Sequence, residues 1–191
     1  MLFRSWRDVR SDFPSQPIKL YGPGTDSGTF DYFTEVIVGK AKSSRPDYQA
    51  SEDDNVLVQG VAGDPSALGY FGHAYVKENT DKLKVVGVDA GSGCVQPTDE
   101  TIANKTYAPL SRPVFIYVAA KADSRPEVKA FVEFYLANVA KLATEVGFIA
   151  LPDTVHALVG QRWAAKTPGS VFHGHAKEDK LDIEALLKAA H

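Results

Sequence analysis

The order of elements legible in this sequence predicts an α/β fold. Short apolar runs bounded by Gly or Pro alternate with segments of helical periodicity. Ser111–Ala120 (SRPVFIYVAA) is apolar and β-branched enough for a buried strand. Behind it, Val128, Phe131, Val132, Tyr135, Val139, Leu142 and Val146 share one helical face.

Ile18–Tyr21, held between Pro17 and Gly22, reads as the first strand, and Trp6, Val9 and Phe13 ahead of it as a segment that packs on something. A Gly/Thr/Ser turn follows, then a helix over Thr29–Val38, with Phe30, Phe33, Val36 and Ile37 near helical spacing and Gly39 at its end. Lys40–Tyr48 is a loop. A second helix starts with Ser51 and Asp54 as a capping pair and stops at Gly60 and Gly63. Ala67–Phe71 is strand-like, His73–Lys82 a short amphipathic helix, Leu83–Asp89 a strand and Gly91–Glu100 a loop. After the Ser111–Ala120 strand, Ser124 and Glu127 box the start of a helix with Pro126 in its first turn and Gly147 at its close. Asp153–Lys166 is a further helix, followed by a charged stretch with a small apolar set at Leu181, Leu186 and Leu187. The composition shifts near Pro109, from short Gly- and Asp-rich elements to long helices, which marks a lobe boundary there.

The 191 residues are 44% hydrophobic and 24% charged, a globular composition. With 21 Lys+Arg against 24 Asp+Glu the net charge is −3, so nucleic acid is not an expected partner and no polybasic membrane patch is present. The single cysteine, Cys94, excludes an internal disulfide framework and a cysteine-based zinc site. No run approaches the 18 apolar residues of a membrane span, and the opening residues lack the apolar region of a secretory leader.

The segment that carries chemistry is Ile18–Phe33, IKLYGPGTDSGTFDYF. A strand ends in Gly22-Pro23-Gly24-Thr25-Asp26-Ser27-Gly28-Thr29 and a helix begins at once. First-turn N–H groups have no intrahelical acceptors, and the helix dipole places partial positive charge there. Ser27 and Thr29 add hydroxyls, and Gly28 admits close backbone approach, an arrangement suited to a small oxyanion held by neutral donors. The glycine spacing fits neither a nucleotide P-loop nor a dinucleotide fingerprint. The same residues also fit a plain Ser/Thr-capped helix with no ligand.

YGPGTDSGTFDYFTE, then DYQASEDDNVLVQGVAGDPSALGYFGHAY, GCVQP and PLSRPVFIYV resemble, in order, motifs of the PstS-type phosphate-binding proteins of phosphate ABC importers. The resemblance runs from about Trp6 to Phe172. It implies part of a two-lobed type II periplasmic-binding-protein-like α/β fold whose N-terminal portion is missing. On that view residues 1–109 form part of the second lobe, 110–172 return to complete the first lobe, and 173–191 are a C-terminal tail. The implied ligand is inorganic phosphate, contacted by Ser27, Gly28 and Thr29, with Thr25 and Asp26 as contributing loop neighbours. Pro23 stands where many members carry an arginine, so a charge-assisted contact from that position is not implied. The family's acidic acceptor for the phosphate proton and its Ser/Thr loop fall upstream of this sequence. The resemblance further implies ABC-importer membrane subunits as partners and a periplasmic or extracellular location. It also implies a cysteine partner for Cys94 upstream of the sequence, leaving a free thiol here; read by itself, Cys94 is an isolated, semi-buried cysteine of no consequence.

No catalytic, metal or cofactor role is expected. Ser-His-Asp and Cys-His orders and the nucleophile elbow are absent. His173 and His175 alone make a weak metal motif, and His73 and His156 read as surface or packing residues. Glu52, Asp53 and Asp54 read as helix-start charges that complement the dipole. Tyr70, Phe71 and Tyr75 fit packing rather than base stacking. The functional expectation is weak phosphate binding by a truncated binding protein. The alternative is a self-associating module, a homo-oligomer through an exposed former interface, with a vestigial anion site.

Overall fold

In a computed structural model, residues 3–172 and 182–190 are described. They fall into two compact units, 1–86 and 87–191, divided upstream of Pro109.

The N-terminal unit is a three-stranded parallel sheet with helices. Its elements are α1 (Trp6–Val9), β1 (Lys19–Pro23), α2 (Gly28–Phe33), β2 (Gln49–Ser51), α3 (Asp54–Ala62), β3 (Ala67–Gly69) and α4 (His73–Lys77). The strand order is β2-β1-β3, with Pro23 opposite Ser51 on one side and Tyr21 opposite Gly69 on the other. The parallel arrangement requires crossovers, and the segment containing α2 and then α3 provide them. Phe30, Leu57, Val58 and Pro23 form the buried centre. Phe33 stacks on Tyr70 with ring centroids 3.8 Å apart, and Phe30 lies nearly parallel to Tyr48 at 6.2 Å. Trp6 packs edge-on to Phe13 and donates its indole N–H to the Ser66 carbonyl, 3.0 Å away, while Val9 stays exposed.

Helix α2 continues without a break into a π-helical turn, Thr34–Val38, closed by Gly39 at φ 80°. Thr34 is fully buried. Its hydroxyl donates to the carbonyls of Phe30 and Asp31 and accepts from Lys42 N–H at 2.8 Å. Such back-bonding from a threonine bends a helix and suits a π-turn.

Several boundaries differ from the sequence expectation. The cap of α3 is Asp53, whose carboxylate accepts from Asn55 N–H, rather than Ser51, which ends β2. Gly60 lies inside α3 instead of stopping it, because the Tyr21 ring packs there: a Cβ would sit 2.2 Å from Tyr21 Cε1.

In the second unit, β4 (Val88–Asp89) and β5 (Cys94–Val95) form an antiparallel ladder. Asp89 Oδ1 accepts from the N–H groups of Gly91 and Gly93, which hold φ of 104° and 98°. Of the expected strand Leu83–Asp89, only this last pair is a strand, and Gly91–Glu100 holds β5 and the start of α5 (Asp99–Ala103) rather than only loop. Helices α6 (Pro126–Glu145), α7 (Asp153–Ala164) and α8 (Ile183–Ala189) complete the unit. Val155, Ile183 and Leu187 form its core, with Leu151, Leu158, Val159, Val171 and Phe172 against them. The C-terminal stretch is therefore not uniformly solvated, since α8 docks on α7.

The largest correction concerns Ser111–Ala120. Residues 111–119 form no regular element and pair with no strand among the described residues, and Ala120 opens a short 3-10 turn, Ala120–Ala122. Tyr117 is 85% and Val114 65% exposed, and Phe131 and Phe134 on α6 are exposed as well. A buried strand needs ladder partners on its edges and cover on its faces, and β-propensity alone supplies neither.

Gly60→Ala is expected to destabilise the protein by about 1–3 kcal/mol through overpacking against Tyr21, despite alanine's better helix propensity. Urea unfolding followed by circular dichroism checks this; an increase in stability would contradict the packing role.

Candidate functional site

The candidate site lies at the carboxyl end of β1, the central strand, which is where open parallel α/β sheets present their crevices. Pro23 ends the strand, buried, and its carbonyl accepts from the Tyr48 hydroxyl at 3.2 Å. Thr25 and Asp26 are exposed in the turn. Ser27 N–H donates to the Gly24 carbonyl at 3.1 Å, closing the turn. Ser27 caps α2 from extended backbone, φ −87° and ψ 129°, with its Oγ accepting from Thr29 N–H at 3.1 Å. Gly28 is exposed and Thr29 half-buried. The fold thus brings Ser27, Gly28 and Thr29 together at one helix start, with Thr25 and Asp26 beside them. One of the first-turn amides is already used by the Ser27 cap.

The neighbouring strand contributes what sequence reasoning passed over. Because Pro23 pairs with Ser51 in parallel register, Gly24 and Glu52 leave the sheet side by side. Glu52 Oε1 accepts from Asp26 N–H at 3.4 Å, and a Cβ on Gly24 would lie only 2.0 Å from that oxygen. Gly24 therefore has to be glycine for this approach. The acidic triple is not one uniform group: Asp53 caps α3, Asp54 is half-buried and accepts from Gly72 N–H at 3.4 Å, and Glu52 reaches the turn. The only advance signal would have been the strand register.

The electrostatics of this wall are those of burial beside negative charge. Burial pushes the Asp54 carboxyl up, with Asp53 and Glu52 adding to the shift against the Gly72 N–H. Burial also raises the Tyr48 hydroxyl, with Glu52 as the second cause. Tyr70 is pushed up to about 12, mainly by burial and also by Tyr48; its hydroxyl has no hydrogen-bond partner among the described residues.

The remaining candidates sit apart from the turn. His73 opens α4 and is half-buried; His156 on α7 has a buried Nε2 with no partner among the described residues. His173 and His175 lie outside the described residues. Among the described residues no group of three His, Cys, Asp or Glu could hold a metal. Cys94 is free and exposed on β5 rather than semi-buried, since that two-stranded ladder leaves it uncovered. No helix among the described residues is long and apolar enough to cross a membrane.

Comparison with known proteins adds the family context. Residues 3–139 match the model of the PBP superfamily domain. Protein SphX of Synechocystis sp. is 52% identical over 184 residues, 96% of this chain and 54% of that protein. The phosphate-binding protein PstS of Staphylococcus saprophyticus is 38% identical over 151 residues, 78% of this chain and 46% of that protein. The crystal structure of a possible phosphate binding protein from Planctomyces limnophilus superposes with a TM-score of 0.72 at 49% identity, covering 87% of this chain and 60% of that one. The chain spans about half the length of the relatives it matches.

Two substitutions probe the wall. Ser27→Ala removes the α2 cap and is expected to cost about 0.5–2 kcal/mol in urea unfolding. Asp54→Asn keeps an acceptor for Gly72 N–H but removes a carboxylate whose folded pKa is raised. The folded state then holds more protons than the unfolded state, so Asp54 lowers stability as pH rises through and above the ordinary carboxylate range. The asparagine variant should therefore unfold at a higher urea midpoint at pH 7. That advantage should disappear below the ordinary carboxylate range; a constant difference across pH would contradict the burial argument.

Proposed function

The chain belongs to the PBP superfamily, homologous to PstS phosphate-binding proteins and SphX, and we propose that it binds inorganic phosphate at the turn Thr25–Thr29. The observation that carries this is the convergence of Ser27, Gly28 and Thr29 at one helix start on the carboxyl end of the central strand. Relatives named as phosphate-binding proteins cover 78% and 87% of the chain, which supports the same reading.

Neutral hydroxyls and amides do the holding, with Pro23 in place of a cation. Such donors suit a desolvated oxyanion without requiring net positive charge. The mild negative charge of the chain is therefore no obstacle. In this reading the role is capture rather than catalysis, in keeping with relatives that are named as phosphate-binding proteins. In this reading the protein serves as the substrate-binding component of an ABC phosphate importer, outside the cytoplasmic membrane, with the importer's membrane subunits as partners. The lobe assignment, with residues 1–109 and 110–172 in different lobes, belongs to the same reading.

The 191 residues by themselves are expected to bind phosphate weakly, because the donors of this wall come from a single turn. Calorimetry or NMR titration should give a Kd of ~1 mM, about −4 kcal/mol, for phosphate. The double variant Ser27→Ala/Thr29→Ala should lose that binding. Micromolar binding by the chain alone would overturn the weak-wall argument, and no phosphate response at all would overturn the assignment of the ligand.

A second reading rests on a different observation, the exposed apolar surface of the second unit at Val114, Ile116, Tyr117, Phe131 and Phe134. Surfaces of that kind drive association. On this reading the chain is a self-associating module, and light scattering after size exclusion distinguishes it: a strict monomer at ~100 µM, where a contact of about −5 to −6 kcal/mol would already show, counts against it.

A further inference from the structure

We propose that the Glu52 carboxylate is an internal competitor for the oxyanion turn, so that this one side chain sets how tightly the turn holds an external anion. The inference rests on the phosphate reading above and concerns the same turn.

The turn already serves an anion of the chain's own. Glu52 Oε1 takes the Asp26 N–H at 3.4 Å, and the same carboxylate lies against Gly24, where a Cβ would be 2.0 Å from Oε1 and 2.7 Å from Cδ. The Glu52 side chain is exposed, but the place it starts from is fixed. Glu52 directly follows Ser51, which is held opposite Pro23 by the β1–β2 ladder, so its backbone is fixed one residue from the turn. A carboxylate and an oxyanion want the same donors, and each repels the other at contact distance. An anion that enters the turn must therefore displace Glu52 or sit beside its charge.

The acidic neighbours of Glu52 do not neutralise that charge. Asp53 is committed to the α3 cap and Asp54 to Gly72 N–H, and both are acidic like Glu52. Tyr48, whose hydroxyl donates to the Pro23 carbonyl, has its titration pushed up first by burial and then by Glu52, which fits a carboxylate close to the turn. Removing the charge while keeping the size of the side chain should remove the repulsion and weaken the hold on the Asp26 N–H without disturbing the strand pair. Competition also predicts indifference to the identity of the anion. A carboxylate that merely blocks the donors weakens every small oxyanion, whereas one that accepts a proton from the ligand would favour a protonated anion over an unprotonated one.

The test is an amide NMR titration of the full 191-residue chain and of Glu52→Gln, with inorganic phosphate and, separately, sulfate at constant ionic strength and pH 7. The Asp26 amide resonance is expected to move on substitution before any anion is added. Both anions should then bind Glu52→Gln about five- to tenfold more tightly than they bind the unsubstituted chain. Glu52→Ala should change affinity in the same direction, which separates the loss of charge from any effect of the new amide. Equal binding by both chains overturns the competitor role alone. Weaker phosphate binding by the variant with sulfate unchanged also overturns it and makes Glu52 an acceptor of the ligand's proton. Absence of phosphate binding by either chain overturns the phosphate reading and the competitor role together.

Discussion

The backbone of β1 finds hydrogen-bond partners on both edges, and the candidate site depends on that double pairing. Tyr21 marks the overlap: it faces Gln49 on β2 and Gly69 on β3. Pairing with β3 stops at Tyr21 and pairing with β2 at Pro23, after which the chain turns into α2. The close packing of a Tyr21 ring on Gly60, and of the Tyr70 ring on Gly22, anchors the same strand from its faces. A parallel ladder also aligns the exits of neighbouring strands. That alignment places Glu52 beside Gly24 and makes the site a product of two loops rather than one.

The second unit shows what happens where such pairing is missing. Its apolar segment Ser111–Ala120 has the composition of a core strand, yet the described residues offer it no ladder partner. It stays outside any ladder, half-covered at alternate residues from 111 to 116, with Tyr117 in solvent. Order in that unit comes instead from α7 and α8, whose contact through Val155, Ile183 and Leu187 is a helix–helix core. On α6 Val132 is buried, while Phe131 and Phe134 remain on the surface.

The turn combines two opposing electrostatic features. Helix-start amides and hydroxyls at Ser27–Thr29 favour an anion, while Glu52, Asp53 and Asp54 disfavour one. Neutral donors make the first feature nearly independent of pH, whereas carboxylates make the second sensitive to burial and to small displacements. The balance between them lies in where each carboxylate points, and in this fold the three point to three different partners.

Much was legible from sequence alone. The α/β alternation, the strand at Ile18–Tyr21, the helix behind the Ser27 turn and the long helix after Pro126 follow from local rules: apolar period, Gly and Pro punctuation, and the Ser27 cap. The expected Ser124–Glu127 box does not form, since Arg125 is the N-cap of α6 and makes no side-chain cap. The cluster Ser27, Gly28 and Thr29 was legible for the same reason, since residues adjacent in sequence at a helix start are adjacent in space. What the tertiary structure alone decided is whatever depends on a partner distant in the chain. Gly60 looked like a stop until Tyr21 occupied the space of its missing side chain. Ser111–Ala120 looked like a strand but found no ladder. Glu52 looked like one of three equivalent charges until the β1–β2 register carried it to Gly24. A ladder and a close ring contact each need two segments that the sequence keeps apart, and no local period encodes which segments those are.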